Sequence, residues 1–376
     1  MAQYDVVVVG LGVTGSAALH RLARRGVRAV GIERLTPGHD QGSSHGESRI
    51  IRLGYFEHPS YVPLLLRAYA LWRELEAAAA TKLLHITGIA EIGPPDGEVV
   101  TGTLAASRLH GLPHEVMDAA ETMRRFPAFK IPAHYTCVFQ PDGGFIAVEA
   151  ALAAMLAQAR AAGAQLQTNV SVHSVVPHGN GVRLSTSEGD IEARTALIAA
   201  GPWTRKLMPD LPAPLRVTRE VMGWFEPRNP VPLLSGRFPV FLLESPHGQH
   251  YGFPPIAGGL LKIAKHHHRG EAVDADTVER GVSAEDEALI RSAVADHIPA
   301  ANGPLRVAKT CLYTVTPDRD FLIDRLPGAR NIIVASPCSG HGFKFAPVIG
   351  EILADLATSG STGHDISRFR IGRFGC

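Results

Sequence analysis

The stretch from Tyr4 to Glu33 limits what this chain can fold into more than any other. Tyr4-Asp5-Val6-Val7-Val8-Val9 runs directly into Gly10-Leu11-Gly12-Val13-Thr14-Gly15, and no helix breaker interrupts the alanine- and arginine-rich residues from Ser16 to Arg25. The order is strand, glycine turn, helix. Four consecutive β-branched valines suit a strand buried on both faces, and a second such run, Arg28-Ala29-Val30-Gly31-Ile32, ends in Glu33. In such a unit Gly10 permits the tight turn, Gly12 lets a pyrophosphate approach the backbone, and Gly15 lets helix and strand pack closely. The helix N-terminus then holds the phosphates. Glu33 lies 23 residues beyond Gly10, at the end of the second strand, where it can accept hydrogen bonds from a ribose. A lone GxGxxG is weak, but strand, helix, second strand and terminal acid agree. The unit is therefore read as a dinucleotide site on a Rossmann-like domain of an α/β protein. The motif does not choose between a flavin and a nicotinamide dinucleotide. The acid at position 33 argues against a ribose 2′-phosphate, which favours arginine.

With 376 residues, 45% hydrophobic and 19% charged, the chain can build two domains around a large core. A net charge of +1 without a long basic run argues against nucleic-acid and acidic-membrane partners. The N-terminus enters a strand without a signal-peptide pattern and no run reaches transmembrane length, so the expected compartment is the cytoplasm. Cys137, Cys311, Cys338 and Cys376 are far apart and form no CxxC pair, which indicates neither a disulfide framework nor a zinc site. His266-His267-His268 makes no better metal site, because adjacent strand residues point to opposite faces and no carboxylate or cysteine cluster accompanies them.

Beyond Glu33 the polar, glycine-rich stretch Thr36 to Arg49 is long for a βα connection, and reads equally as a solvated loop or as chain passing close to a flat cofactor, with His45, Arg49 and Arg52 bringing polar groups. Leucines and alanines at helical spacing predict a helix from about Tyr61 to Ala80. Ile86 to Gly93 alternates as one strand, and a helix from Val148 to Ala162 followed by strands near Gln165–Gln167 and Val170–Val172 restores a βαβ rhythm. The run Arg194 to Ala200 forms another strand, and Trp203 after it is read as packing. From Arg216 to Asn302 short strands, prolines and glycines, with a helix near Ala284 to His297, predict a separate, largely antiparallel layer. Asn331 to Ala335 is then a strand, Ser336 to Gly342 a glycine turn and Phe345 to Thr358 a helix, whose positive end suits an anionic group. The tail Arg370 to Cys376 is expected over the surface. Lys262 would be a solvated strand lysine but for its apolar neighbours Leu260, Leu261 and Ile263, which favour a buried, purposeful charge.

These pieces resemble one family along nearly the whole chain, the monomeric sarcosine oxidase and N-methyl-L-tryptophan oxidase group of FAD-dependent amine oxidases. The resemblance is carried by Gly10 to Glu33, by Gly42-Ser43-Ser44-His45-Gly46-Glu47-Ser48-Arg49-Ile50-Ile51-Arg52 and by Tyr61-Val62-Pro63-Leu64. It continues in Tyr251-Gly252-Phe253-Pro254, in Leu261 to His266, in Lys309-Thr310-Cys311-Leu312-Tyr313-Thr314-Val315-Thr316-Pro317-Asp318, and in Ser339-Gly340-His341-Gly342-Phe343-Lys344-Phe345. It implies a flavoenzyme that oxidises a secondary amine, usually an N-methyl amino acid, to an imine and passes the electrons to oxygen. Hydrolysis of that imine would release the demethylated amino acid and formaldehyde, with hydrogen peroxide as the other product. It also implies a monomer.

The resemblance assigns roles residue by residue. Cys311 matches the cysteine bonded to the flavin 8α-methyl group; on its own residues it reads as a small buried hydrophobe. Cys338 is its rival, at a position where the family has no cysteine. Lys262 matches the lysine that promotes reaction with oxygen, where a cation stabilises developing superoxide. Arg52 and Lys344 match the pair that grips the substrate carboxylate. Arg49 and His45 match residues beside the flavin ring, while Tyr251 and His266 match polar residues on the substrate side with positioning roles. Ser44, Ser48, Val172, Gly340 and Gly342 complete the cofactor-binding set.

The implied flavin domain comprises 1–82, 144–215 and 303–376, and the substrate domain 83–143 and 216–302. Tyr55-Phe56-Glu57-His58-Pro59 and Leu243 to His250 depart from the family pattern, which leaves substrate identity open. Rival readings are an oxidase of a cyclic imino acid or glycated amino acid, a flavin dehydrogenase with another acceptor, and a flavin-binding regulator without turnover.

Overall fold

The valines of the first strand find neighbours on both sides. Tyr4–Val9 pairs in parallel with Ala29–Glu33 and with Gly189–Ile198, and Gln165–Thr168 and Ala329–Ser336 extend the parallel array outward. Three further strands pair antiparallel at its margins, giving an eight-stranded first sheet. The computed structural model describes residues 3–234, 236–256 and 259–375; Cys376 of the expected tail lies outside them.

Helices Val13–Arg24, Val62–Ala79, Val148–Ala161 and Ala346–Ser359 bury their apolar faces in one core, to which Leu19, Trp72, Met155 and Ile352 contribute. Val7, Val30, Ile198 and Val334 fill a second core against the same sheet. Ile371 joins this second core, so the tail anchors itself there instead of lying free on the surface.

The second sheet also has eight strands and carries the predicted antiparallel layer. Every pairing in it is antiparallel except that of Val240–Ser245 with Ile89–Gly93. Helix Ala284–His297 starts at a capping box between Ser283 and Asp286 and packs Ile290, Ala293 and Val294 on this sheet. The strand Leu305–Val315 pairs with Arg216–Phe225 along nearly its whole length, so it belongs to this sheet and not to the cofactor segment that begins at 303 in the sequence reading. A ladder of ten residue pairs outweighs proximity in sequence to the cofactor segments.

A second difference concerns Ile86–Gly93. The alternation continues, but the chain turns at Gly88, whose φ of 74° is left-handed. Leu84–Ile86 consequently joins a three-stranded sheet with Ser48–Ile51 and Gly144–Ala147, while Ile89–Gly93 enters the second sheet. This small sheet carries Arg49 toward the space between the two large ones.

Among the described residues no helix is long and apolar enough to cross a membrane.

Candidate active site

A cleft of about 490 Å³ opens beside the Gly10 turn and continues to the second sheet. At its nucleotide end Gly10 has φ 91°, and an added Cβ would sit 2.5 Å from the carbonyl oxygen of Ala199. Only glycine fits there. Gly12 precedes helix Val13–Arg24, which has no acid in its first turn, and Gly12, Val13 and Thr14 all line the cleft. A helix N-terminus facing a cleft in this way is suited to a pyrophosphate. Ser44 Oγ accepts from the Val13 amide at 3.1 Å and so fixes the following loop across the turn. Glu33 accepts from the amides of Leu11 at 2.7 Å and Leu35 at 3.0 Å. Burial raises its carboxyl, but His39 and these two amides outweigh that and hold it below the usual range. Val172 and Trp203 complete this end. Trp203 donates its indole N–H to Asp276 at 2.7 Å and stacks against Arg34, so it is a cleft wall and not only packing.

At the other end Arg49, Tyr251, His266, Tyr313, Arg52 and Lys344 converge. The Arg49 guanidinium is held by the carbonyls of Ser43 and Ser48, each at 2.9 Å, and lies 3.6 Å from Cys311 Sγ. Burial raises the Cys311 thiol, an effect Arg49 opposes. Burial also lowers the His266 imidazole well below its ordinary value and raises the Tyr251 phenol, so both are neutral near pH 7.

Arg52 is only 2% exposed. It donates to Glu57 at 2.6 Å and to the Gly54 carbonyl at 2.9 Å, and it lies between the rings of Tyr55 and Phe56. Its Nε is 3.6 Å from Glu91, whose carboxyl burial raises to about 7 against the opposing field of Arg52. Lys344 donates to the His341 carbonyl at 2.7 Å; burial, with Arg52 adding to it, lowers its ammonium to about 7, while Glu57 and Glu91 oppose.

Of the residues singled out from sequence, Gly10, Gly12, Glu33, Ser44, Arg49, Arg52, Val172, Tyr251, His266, Gly340, Gly342 and Lys344 line the cleft. Gly15, His45, Ser48, Lys262 and Cys311 stand behind its wall. Gly15 faces the Gly10 carbonyl, 1.8 Å from where a Cβ would sit, so its part is to let the helix approach the strand. Lys262 is buried, donating to the carbonyls of Gly46 at 2.5 Å and Ser48 at 2.7 Å, over the faces of Trp224 and Phe253. Cys338 does line the cleft. His268 points away to Asp286 at 2.9 Å.

Sequence reading did not single out Tyr313, Glu57 or Glu91. Tyr313 lay inside a quoted motif but reads as an ordinary strand residue. Glu91, a lone charge between Ala90 and Ile92, carried the same signal that drew attention to Lys262.

The fit to FAD can be judged from these residues. The glycine turn leaves room where a side chain would block the cleft, and the helix amides face it. Both ring nitrogens of His45 and the hydroxyls of Ser336 and Thr314 are buried without a hydrogen-bond partner among the described residues. Of these only Ser336 lines the cleft, where its hydroxyl can meet a bound, polar, flat group, while His45 and Thr314 lie behind the wall.

A βαβ nucleotide turn, a second sheet walling the cleft and buried cations at its far end define a dinucleotide-dependent oxidoreductase. The chain belongs to the FAD dependent oxidoreductase family, which it matches over residues 5–356. Among its relatives, a monomeric sarcosine oxidase from Streptomyces avermitilis is 40% identical over 375 residues, covering 97% of this chain and 96% of that one. An N-methyl-L-tryptophan oxidase from Salmonella newport is 38% identical, covering 99% of both. The solved structure of NikD, described as an unusual amino acid oxidase essential for nikkomycin biosynthesis, superposes with a TM-score of 0.86 at 28% identity, covering 98% of each chain. The protein is thus an FAD-dependent oxidoreductase.

Proposed function

We propose that this chain oxidises a small N-methylated or cyclic secondary amino acid to an imine and passes the electrons to oxygen. The observation that carries this reading is the pair of buried cations, Arg52 and Lys344, at the far end of a cleft that begins in a dinucleotide turn. Arg52 and Lys344 face the cleft with only one displaceable acid among the described residues, Glu57, between Arg52 and the open space, an arrangement suited to holding an amino-acid carboxylate. Glu57, which lines the cleft, occupies Arg52 in the free protein and is the group a substrate carboxylate would replace.

Tyr251 and His266 face the same space and would orient the amine. The neutral imidazole suits this role, since the amine must be uncharged to react and a cationic neighbour would not accept a hydrogen bond from it. When bound, FAD would accept the electron pair of the C–H bond next to nitrogen, so that the C–N bond becomes C=N as the nitrogen gives up its proton. Arg49 would lie against it, Glu33 would hold its ribose, and Cys311 would carry the covalent bond. Lys262, a cation without a carboxylate partner, supports oxygen as the acceptor rather than a protein carrier. A monomer acting in the cytoplasm fits the same reading.

The test is a hydrogen peroxide assay of purified enzyme against sarcosine, N-methyl-L-tryptophan, L-proline and L-pipecolate. Peroxide with formaldehyde from an N-methyl substrate supports the reading, and peroxide without formaldehyde from proline or pipecolate selects the cyclic branch. No turnover of any of the four, by enzyme that carries flavin, would sink it.

A further inference from the structure

Glu91 is fully buried, at 0% exposure, and does not reach the cleft. It lies mid-strand in Ile89–Gly93, opposite Val138 on one side and Leu242 on the other. Alternation sends Ala90 and Ile92 into the core of the second sheet and leaves Ile89 and Glu91 on the face toward the cleft. One Glu91 oxygen accepts from the Gln140 side-chain amide, and the other lies 3.6 Å from Arg52 Nε with no hydrogen bond of its own. Gln140 accepts in turn from the Gly54 amide at 2.6 Å. A strand carboxylate is thereby tied to both the side chain and the backbone of the Arg52 turn.

The two acids around Arg52 differ in access. Glu57 is partly exposed and lines the cleft, so an incoming anion can displace it; Glu91 is sealed, so nothing can. With a substrate carboxylate on Arg52 in place of Glu57, Glu91 is the resident acid that stays beside the guanidinium.

We propose that Glu91 is a positioning and specificity residue: the counter-ion no ligand can displace, which aims Arg52 at the cleft and matches the pocket to a ligand with a single carboxylate. This rests on the reading of Arg52 as the carboxylate receptor. Removing the Glu91 charge leaves an excess positive field, which favours a second negative charge on the ligand.

The experiment titrates the flavin absorbance of the holoenzyme with acetate and with malonate near pH 8, above the value of about 7 to which burial raises the Glu91 carboxyl. In Glu91→Gln, where the new amide can still accept from Gln140, the ratio of malonate to acetate affinity should rise about five-fold or more. Glu91→Asp should return it toward the starting value. Gln140→Leu, which removes the amide that donates to the Glu91 carboxylate and so favours its neutral form, should move it the same way as Glu91→Gln, and this keeps the test open should Glu91→Gln not fold. Arg52→Gln is the control for the underlying reading. If it loses acetate binding while Glu91→Gln and Gln140→Leu leave the ratio unchanged, the role of Glu91 is overturned and that of Arg52 stands. If Arg52→Gln binds acetate as the parent does, the receptor reading itself falls.

Discussion

Lys262 donates to the carbonyl of Ser48, at 2.7 Å, across the boundary between the second and third sheets, and forms no ion pair among the described residues. A buried ammonium held by backbone dipoles keeps its field for whatever lies beyond the loop 46–48. Burial lowers its pKa well below the ordinary value, with Arg49 adding to the effect. Lys262→Met should leave flavin bound but slow reoxidation of the reduced enzyme by about 100- to 1,000-fold. Stopped-flow mixing with oxygenated buffer measures this, and an unchanged rate removes the lysine from the oxygen reaction.

Cys311 and Cys338 offer a sharp comparison. Cys311 Sγ lies 3.6 Å from the Arg49 guanidinium behind the wall, whereas Cys338 lines the cleft. With Cys311→Ala, acid precipitation should release the yellow colour to the supernatant; with Cys338→Ala it should stay in the pellet. The reverse pattern would transfer the link to Cys338.

Arg52→Gln and Lys344→Met should each lower kcat/KM for the amino-acid substrate roughly 10- to 100-fold, as loss of one charge-assisted hydrogen bond in a buried site predicts. The effect should fall mainly on KM. Because the Lys344 ammonium is lowered to about 7, substrate affinity should weaken as pH rises through that value in the parent and not in Lys344→Met. Steady-state profiles of both enzymes decide the matter.

Acid should destabilise the fold through its buried histidines while carboxylates of ordinary pKa are still ionised, with Glu91 and Glu220, raised by burial to about 7 and about 8, acting in the opposite sense. Burial lowers His45, His250 and His341 from 6.5 to about 4. Between these values the unfolded chain binds protons that the folded one refuses, so stability falls as pH drops from 6.5 toward 4. Each histidine contributes up to about 3 kcal/mol of this slope. Urea unfolding at pH 7.5 and pH 5 should give a markedly lower midpoint at the acid value, and equal midpoints would contradict the buried, neutral state of these rings.

The nucleotide end was legible because its determinants are local: glycine geometry, a valine run and one acid, all within about thirty residues. Arg52, Lys344 and Tyr251, far apart in sequence, were reached through the resemblance, and the structure brings them into one cleft. What the sequence hid depended on pairing partners. Nothing local in Ile86–Gly93 says that its two halves enter different sheets, because the alternation survives the turn at Gly88. Leu305–Val315 lies next in sequence to cofactor segments yet is claimed by its ladder with Arg216–Phe225. Glu91 carried a local sign, a charge within an apolar strand, but its partner Arg52 belongs to a different part of the chain.

The single parallel pairing among the described strands of the second sheet, Val240–Ser245 beside Ile89–Gly93, joins residues about 150 positions apart, with four strands of the first sheet between them. Such a ladder raises contact order, and neither half of the substrate wall can complete its sheet alone. The wall of the cleft is therefore complete only when segments from both sides of the intervening chain have met. A fragment ending before Val240 would leave the Ile89 edge unpaired and open to association with other chains.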